Sequence, residues 1–159
     1  MNRTKTKQLL SYLVQEHSSA SVTVLMKLSY LIDLVSIKKE HKQVTDFEYK
    51  RYHYGPFDQS IYVLLSELET EGVVKAESQY TPGGEEYVKY IFVQEEELNL
   101  DQLTDKDCEI ANQVLDQVSG YGAKALTEIA YQTAPMKKLG ATLGGNENLN
   151  EKLDLFCNG

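Results

Sequence analysis

The densest pattern of apolar and polar positions runs from Phe47 to Val74, FEYKRYHYGPFDQSIYVLLSELETEGVV. Its first part is aromatic, with Tyr49, Tyr52 and Tyr54, a composition suited to a strand. Gly55-Pro56 follows and predicts a turn, because Gly tolerates unusual dihedrals and Pro fixes its own. Asp58 then stands where a side chain accepts the free N–H groups of a first helical turn. Ile61, Leu64, Leu65 and Leu68 repeat at i, i+3, i+4, i+7, the spacing of one buried helical face. Gly72 is placed for a left-handed helix stop, and Val73-Val74 open the next strand.

The remaining elements follow from the same rules. Thr4 to His17 predicts a helix with Leu9, Leu10, Leu13 and Val14 inward and Lys5 and Lys7 outward, broken by Ser18-Ser19. Ser21 caps a second helix to about Ser36. Its apolar residues cover more than one face, which predicts the central buried helix. Asp33, inside that helix, is either exposed or paired. Lys38 to Lys42 is a charged connection. Val73–Gln79 and Tyr87–Val93 predict two strands around the Pro-Gly-Gly loop YTPGGEE. Thr104 with Asp107 forms a variant capping box for a helix whose face is Cys108, Ala111, Leu115 and Val118, ended by Gly120 and Gly122. Ala123–Tyr131 is a short helix with Leu126, Ile129 and Ala130 in the core. Pro135 ends the regular part, Gly144-Gly145-Asn146 is a loop, and Leu149–Phe156 predicts a last short helix. The order implies one α+β domain over 1–159, mostly α-helical. Its core is winged-helix-like with a small antiparallel hairpin, Ser60–Glu71 in the place of a recognition helix and Tyr80–Glu86 at the wing tip.

Three of these stretches also carry a resemblance. An aromatic run, YGPF, an amphipathic helix ending in LExxG and a hydrophobic strand resemble the Panacea (SocA-like antitoxin) domain and its YwgA-like relatives. Met26–Leu34, MKLSYLIDL, is similar to the family's first motif, and Leu126–Met136, LTEIAYQTAPM, to its last. Tyr131 stands where many members have His, and Met136 where many have Trp. The resemblance covers about Leu25 to Leu139. It implies a small bacterial or phage-encoded protein that binds and neutralises a toxin encoded beside it.

Composition narrows the alternatives. A hydrophobic share of 42% over 159 residues suffices for a packed core. No run is apolar enough for a signal peptide or a membrane span, which leads us to expect a cytoplasmic protein. There Cys108 and Cys157 would be free thiols. His17, His41 and His53 share no ligand spacing, and no phosphate loop or nucleophile elbow is present. No metal, no cofactor and no enzymatic activity are therefore expected. Net charge is −8 and uneven: residues 1–57 hold 9 Lys/Arg against 5 Asp/Glu, residues 58–159 hold 7 against 19. From Asp58 to Glu71 there are four acids and no base, the wrong sign for a helix on phosphates. A winged-helix DNA-binding regulator is therefore the second reading, with nucleic acid contact weak. A protein-binding module is the first. Eleven Tyr and no Trp suit that role, since Tyr buries a ring and keeps a polar tip. The expected partner-binding residues are Tyr52, His53, Tyr54 and Phe57, shaped by a structural turn at Gly55 and Pro56. His53 has an alternative reading as a strand histidine bonded within the domain. Tyr30 and Tyr62 are expected in the core by their helical spacing.

Overall fold

The computed structural model describes residues 3–17 and 20–157. The expected break at Ser18-Ser19 lies outside the described residues. Helix α1 spans Arg3–Glu16, a two-residue strand β1 spans Ala20–Ser21, and α2 spans Val22–Glu40. A hairpin of β2 (Lys50–Tyr52) and β3 (Gly55–Phe57) leads into α3 (Ser60–Thr70). Strands β4 (Val74–Tyr80) and β5 (Glu86–Phe92) form a second hairpin, one residue offset from the expected strands at each end. Helices α4 (Asp105–Gln117), α5 (Ala123–Tyr131) and α6 (Ala134–Lys138) complete the order. The fold is α+β, with six helices among the described residues and a small antiparallel sheet in the order β1-β5-β4.

Helix α2 is the hub. It contacts α1, α4 and α5, and eleven of its residues from Val24 to Ile37 are buried. Ser21 caps it as expected, accepting the Val24 N–H at 3.2 Å. The helix runs past Ser36, so Lys38 to Glu40 are helical rather than a connection. Lys38 and Lys39 suit a last turn because cations there oppose the negative end of the helix dipole. His41 then ends the helix in the left-handed region, its N–H returning to Ile37 O.

Ile61, Leu64, Leu65 and Leu68 are all buried on α3. Gly72, at φ 77°, lets the Val73 N–H return to Leu68 O at 2.9 Å, the left-handed stop the sequence predicts. Asp58 stands one residue before the cap position, yet Oδ1 still accepts the Ser60 N–H at 2.9 Å. Its Oδ2 accepts the Glu48 N–H at 2.8 Å, which fixes the helix start to the ribbon before β2.

Several expectations need correction. Tyr62 is not core: it lies beside the α3 stripe and is 53% exposed, whereas Tyr30 is fully buried. The buried face of α4 is Asp107, Ile110, Ala111 and Val114, with Cys108, Leu115 and Val118 on its flanks. Lys5 turns inward to meet Asp107 at 3.0 Å, which sets that rotation. Lys7 is half-buried and bonds Glu71 at 2.6 Å. On α5, Leu126 and Ala130 are buried while Ile129 is half-buried. Pro135 starts α6 instead of ending the fold, at a position where its missing N–H costs nothing. Residues 149–156 are not helical: turns stand at both ends, and Lys152 between them bridges to Lys50. Asn148 and Asn150 have positive φ, and Leu153 and Leu155 are buried between exposed neighbours, the period of a strand. The thiols of Cys108 and Cys157 are free.

Leu68→Ala removes a fully packed side chain from the α3 stripe. Chemical denaturation should show a loss of about 2–5 kcal/mol; a change within error would place Leu68 outside the cooperative core.

Candidate functional site

The ribbon from Phe47 to Tyr52 alternates strictly. Phe47, Tyr49 and Arg51 point inward, and Glu48, Lys50 and Tyr52 point outward. Inside, the Tyr49 ring meets Tyr30 edge-on at 5.3 Å and Phe47 at 5.8 Å. The Tyr49 hydroxyl donates to Asp33 Oδ2 at 2.7 Å. Asp33 is fully buried on α2 and settles the question the sequence leaves open: it is paired, with donors rather than with a base. Val44 N–H and Thr45 N–H reach Oδ1, and Thr45 Oγ1 and Gln43 Nε2 reach Oδ2. Burial pushes the Asp33 carboxyl above its usual range, and these donors pull it back.

The two-residue turn of the hairpin is His53-Tyr54, so Gly55 and Pro56 are not the turn but the start of the return strand β3. Gly55 leaves the turn at φ 103°, a conformation L side chains rarely adopt. Pro56 pairs with Arg51, whose backbone groups face the other edge. There Arg51 N–H donates to Glu151 O at 2.8 Å, and Asn150 N–H donates to Arg51 O at 2.7 Å. No ladder bond is lost to Pro56, which explains a proline inside a strand.

Three buried polar side chains hold this hairpin. Lys27, 1% exposed on α2, donates its Nζ to Pro56 O at 3.0 Å. Arg51, 0% exposed, donates to the carbonyls of Tyr52, Thr142 (3.1 Å) and Gly145 (2.9 Å). Its guanidinium lies 5.3 Å from the ring centroid of Tyr131, and the Tyr131 hydroxyl donates to His53 O at 3.2 Å. Burial pulls the Lys27 amine down from 10.5 to about 7.

This clamp leaves a row of rings outside. Tyr52 stacks on Phe57 at 5.5 Å and touches His53 at 4.9 Å, and Phe57 lies 5.9 Å from Tyr62 on α3. Tyr52 is 41% exposed, His53 is exposed and Phe57 is half-buried. Tyr52 and Phe57 also wall a cleft of about 280 Å³ shared with Glu48, Lys50 and Asp58. Tyr54, 70% exposed at the tip, turns elsewhere and borders a mostly apolar groove of about 430 Å³ with Ala123, Thr127 and Leu143. Three of the four expected contact residues thus share one surface, joined by Tyr62. The sequence reading missed Lys27, Arg51 and Tyr131 as supports. The signal for Arg51 was the inward phase of the ribbon, and for Lys27 its place within the apolar run VLMKLSYLI.

A family model described as antitoxin SocA-like, Panacea domain, matches residues 25–135. The chain belongs to this family. No curated protein and no solved structure matches it. The Panacea region takes in Lys27, Asp33, the ribbon, both hairpins and Tyr131. The segment at 142–153, which bonds Arg51 and bridges β2 at Lys152, lies beyond it. Within the last Panacea motif, Tyr131 and Met136 are both buried, the first beneath the hairpin. No helix among the described residues is long and apolar enough to cross a membrane. Nor do the described residues gather three or more His, Cys, Asp or Glu as a metal would need.

Lys27 makes stability depend on pH. Below pH 7 both folded and unfolded chains carry the charge, and the full cost of burying it is felt. Between about 7 and 10.5 the unfolded chain holds a proton the folded chain has released, so stability rises with pH. Relative to Lys27→Met, the protein should gain stability across that window with a slope of at most about 1.4 kcal/mol per pH unit. Parallel denaturant titrations of both proteins measure it. A flat difference would show that Lys27 titrates normally.

Proposed function

We propose that this Panacea-domain protein is an antitoxin that works in the cytoplasm by binding and occluding a partner toxin encoded beside it, without catalysis or cofactor. The observation that carries this is the ring row of Tyr52, His53 and half-buried Phe57 on a hairpin clamped from within, continued by exposed Tyr62 on α3. Exposed aromatic rings on a rigid support are the usual anchors of protein interfaces, because little side-chain freedom is lost on contact. Tyr54 at the tip extends the contact area to the neighbouring groove.

A winged-helix DNA-binding regulator is the second reading, favoured by the order α3, β4, β5. The charge of α3 counts against it. Glu67, Glu69 and Glu71 are exposed there, and Lys7 of α1 meets two of them. Phosphate contact from that helix would be repulsive.

The test is a pull-down and titration of the neighbouring gene product against the protein, Tyr52→Ala and Tyr54→Ala. Both changes should leave the melting temperature close to that of the parent, since both rings are exposed. Each should weaken the complex by about 1 kcal/mol or more. Collapse of the fold in either variant, or unchanged affinity in both, would remove the interface from this hairpin.

A further inference from the structure

The ring row does not stop at Tyr62. Strand β5 places Tyr90 opposite Ala76 of β4, and the Ala76 N–H donates to Glu69 Oε1 of α3 at 3.3 Å. That bond lies at the open edge of β4. The face itself is set by Val74, which is buried, and by Phe92 and Tyr90, which pack on the core. Burial, and then Glu69 and Tyr62 of α3, push the Tyr90 hydroxyl up. Period-two alternation carries the same face outward through Ser78 and Tyr80 of β4 and Val88 and Glu86 of β5. The Ser78 hydroxyl donates to Glu86 Oε1 at 3.0 Å, which places both on it. Tyr80 is 67% exposed, and Val88 and Glu86 are exposed. A strip of Tyr52, Phe57, Tyr62, Tyr90 and Tyr80 thus runs from the first hairpin along α3 to the second.

Its charge is mostly negative. Asp58 comes from the approach to α3, Glu69 from α3 itself and Glu86 from β5. Lys50 stands beside Tyr52 and Asp58 at the first-hairpin end, and Glu67 and Glu71 turn away to Lys7 of α1. The two lysines of the strands, Lys75 and Lys89, alternate to the opposite face, where Lys75 meets Glu77 at 3.8 Å. Tyrosine faces beside carboxylates suit a guanidinium or ammonium, which stacks on the ring while it bonds the carboxylate. Phosphate would be repelled. A second copy of this chain offering the same patch would set acid against acid.

We infer that this acidic tyrosine strip takes an Arg- or Lys-bearing segment of the partner protein. The inference rests on the antitoxin reading above for its biological setting and names the chemistry of the element bound. Arg is the better fit, since its plane stacks on rings and is less tightly hydrated than an ammonium.

Amide NMR titration with an oligo-arginine peptide, and with an oligo-glutamate peptide as control, tests the strip directly. Shifts should concentrate at 52–62 and 76–90 with arginine, and be absent with glutamate. Glu86→Lys with Glu69→Lys should weaken peptide binding about tenfold or more. Tyr62→Ser, at an exposed ring, gives a second variant should Glu69→Lys disturb the Ala76 contact. Shifts spread evenly over other acids such as Glu95–Glu97, or affinity unchanged in both variants, would overturn the inference. The neighbouring gene product separates the two claims. If it binds the parent and the charge-reversed protein equally, the strip is not the site but the antitoxin reading stands. If it binds neither, the antitoxin reading falls, and the peptide arm alone decides the strip.

Discussion

A carboxylate buried in the middle of α2 sets the path of everything that follows it. Asp33 has no solvent and no basic partner, so it is tolerable only where donors converge on it. Those donors come from Gln43, Val44, Thr45 and Tyr49, which forces the chain after α2 to fold back over the helix. Once Tyr49 is inside, alternation leaves Arg51 inside and Tyr52 outside. A slip of one residue would bury Lys50 and Tyr52 and expose Tyr49 and Arg51. The phase of the candidate interface is thus set on α2, far from the rings themselves.

The next problem is where to put two basic side chains. Lys27 and Arg51 are buried, and both hydrogen-bond backbone carbonyls rather than carboxylates. Their bonds converge on one hairpin: Lys27 holds β3, Arg51 holds the end of β2 and the 142–145 loop, and Tyr131 holds the turn. The Pro56 carbonyl left without its Lys27 donor would be buried and unpaired, a cost of about 1–3 kcal/mol. The chain spends this stability on a short hairpin that two strands alone would not keep folded. A rigid hairpin is of use to a surface that binds, because an ordered contact loses less entropy on complex formation.

Much of this fold is legible in the sequence. The α3 stripe, the Ser21 and Thr104 caps and the bounds of α5 follow from local rules, because each depends on residues within one or two turns. What local rules miss are long-range pairings. Residues 149–156 read as a helix by composition, but bonds to Tyr49 and Arg51 and the bridge to Lys50 hold the chain there out of helical shape. Pro56 reads as a turn residue, since its tolerance in a strand depends on Glu151 and Asn150, about a hundred positions away. Tyr62 reads as core by spacing, and only the width of the α3 stripe decides that it is not. The exposed rings Tyr52, His53 and Phe57 were found from residue type, whereas Lys27, Arg51 and Tyr131, which aim them, leave a signal only once the ribbon's phase is known.

Buried basic side chains, chiefly Arg51, hold the aromatic hairpin in a presentable shape. Amide hydrogen exchange on Arg51→Met measures this most directly. Protection should fall selectively at 50–57 and 142–151, while α2 and α4 keep theirs. Unchanged protection of the hairpin, or a uniform loss across the whole chain, would contradict it.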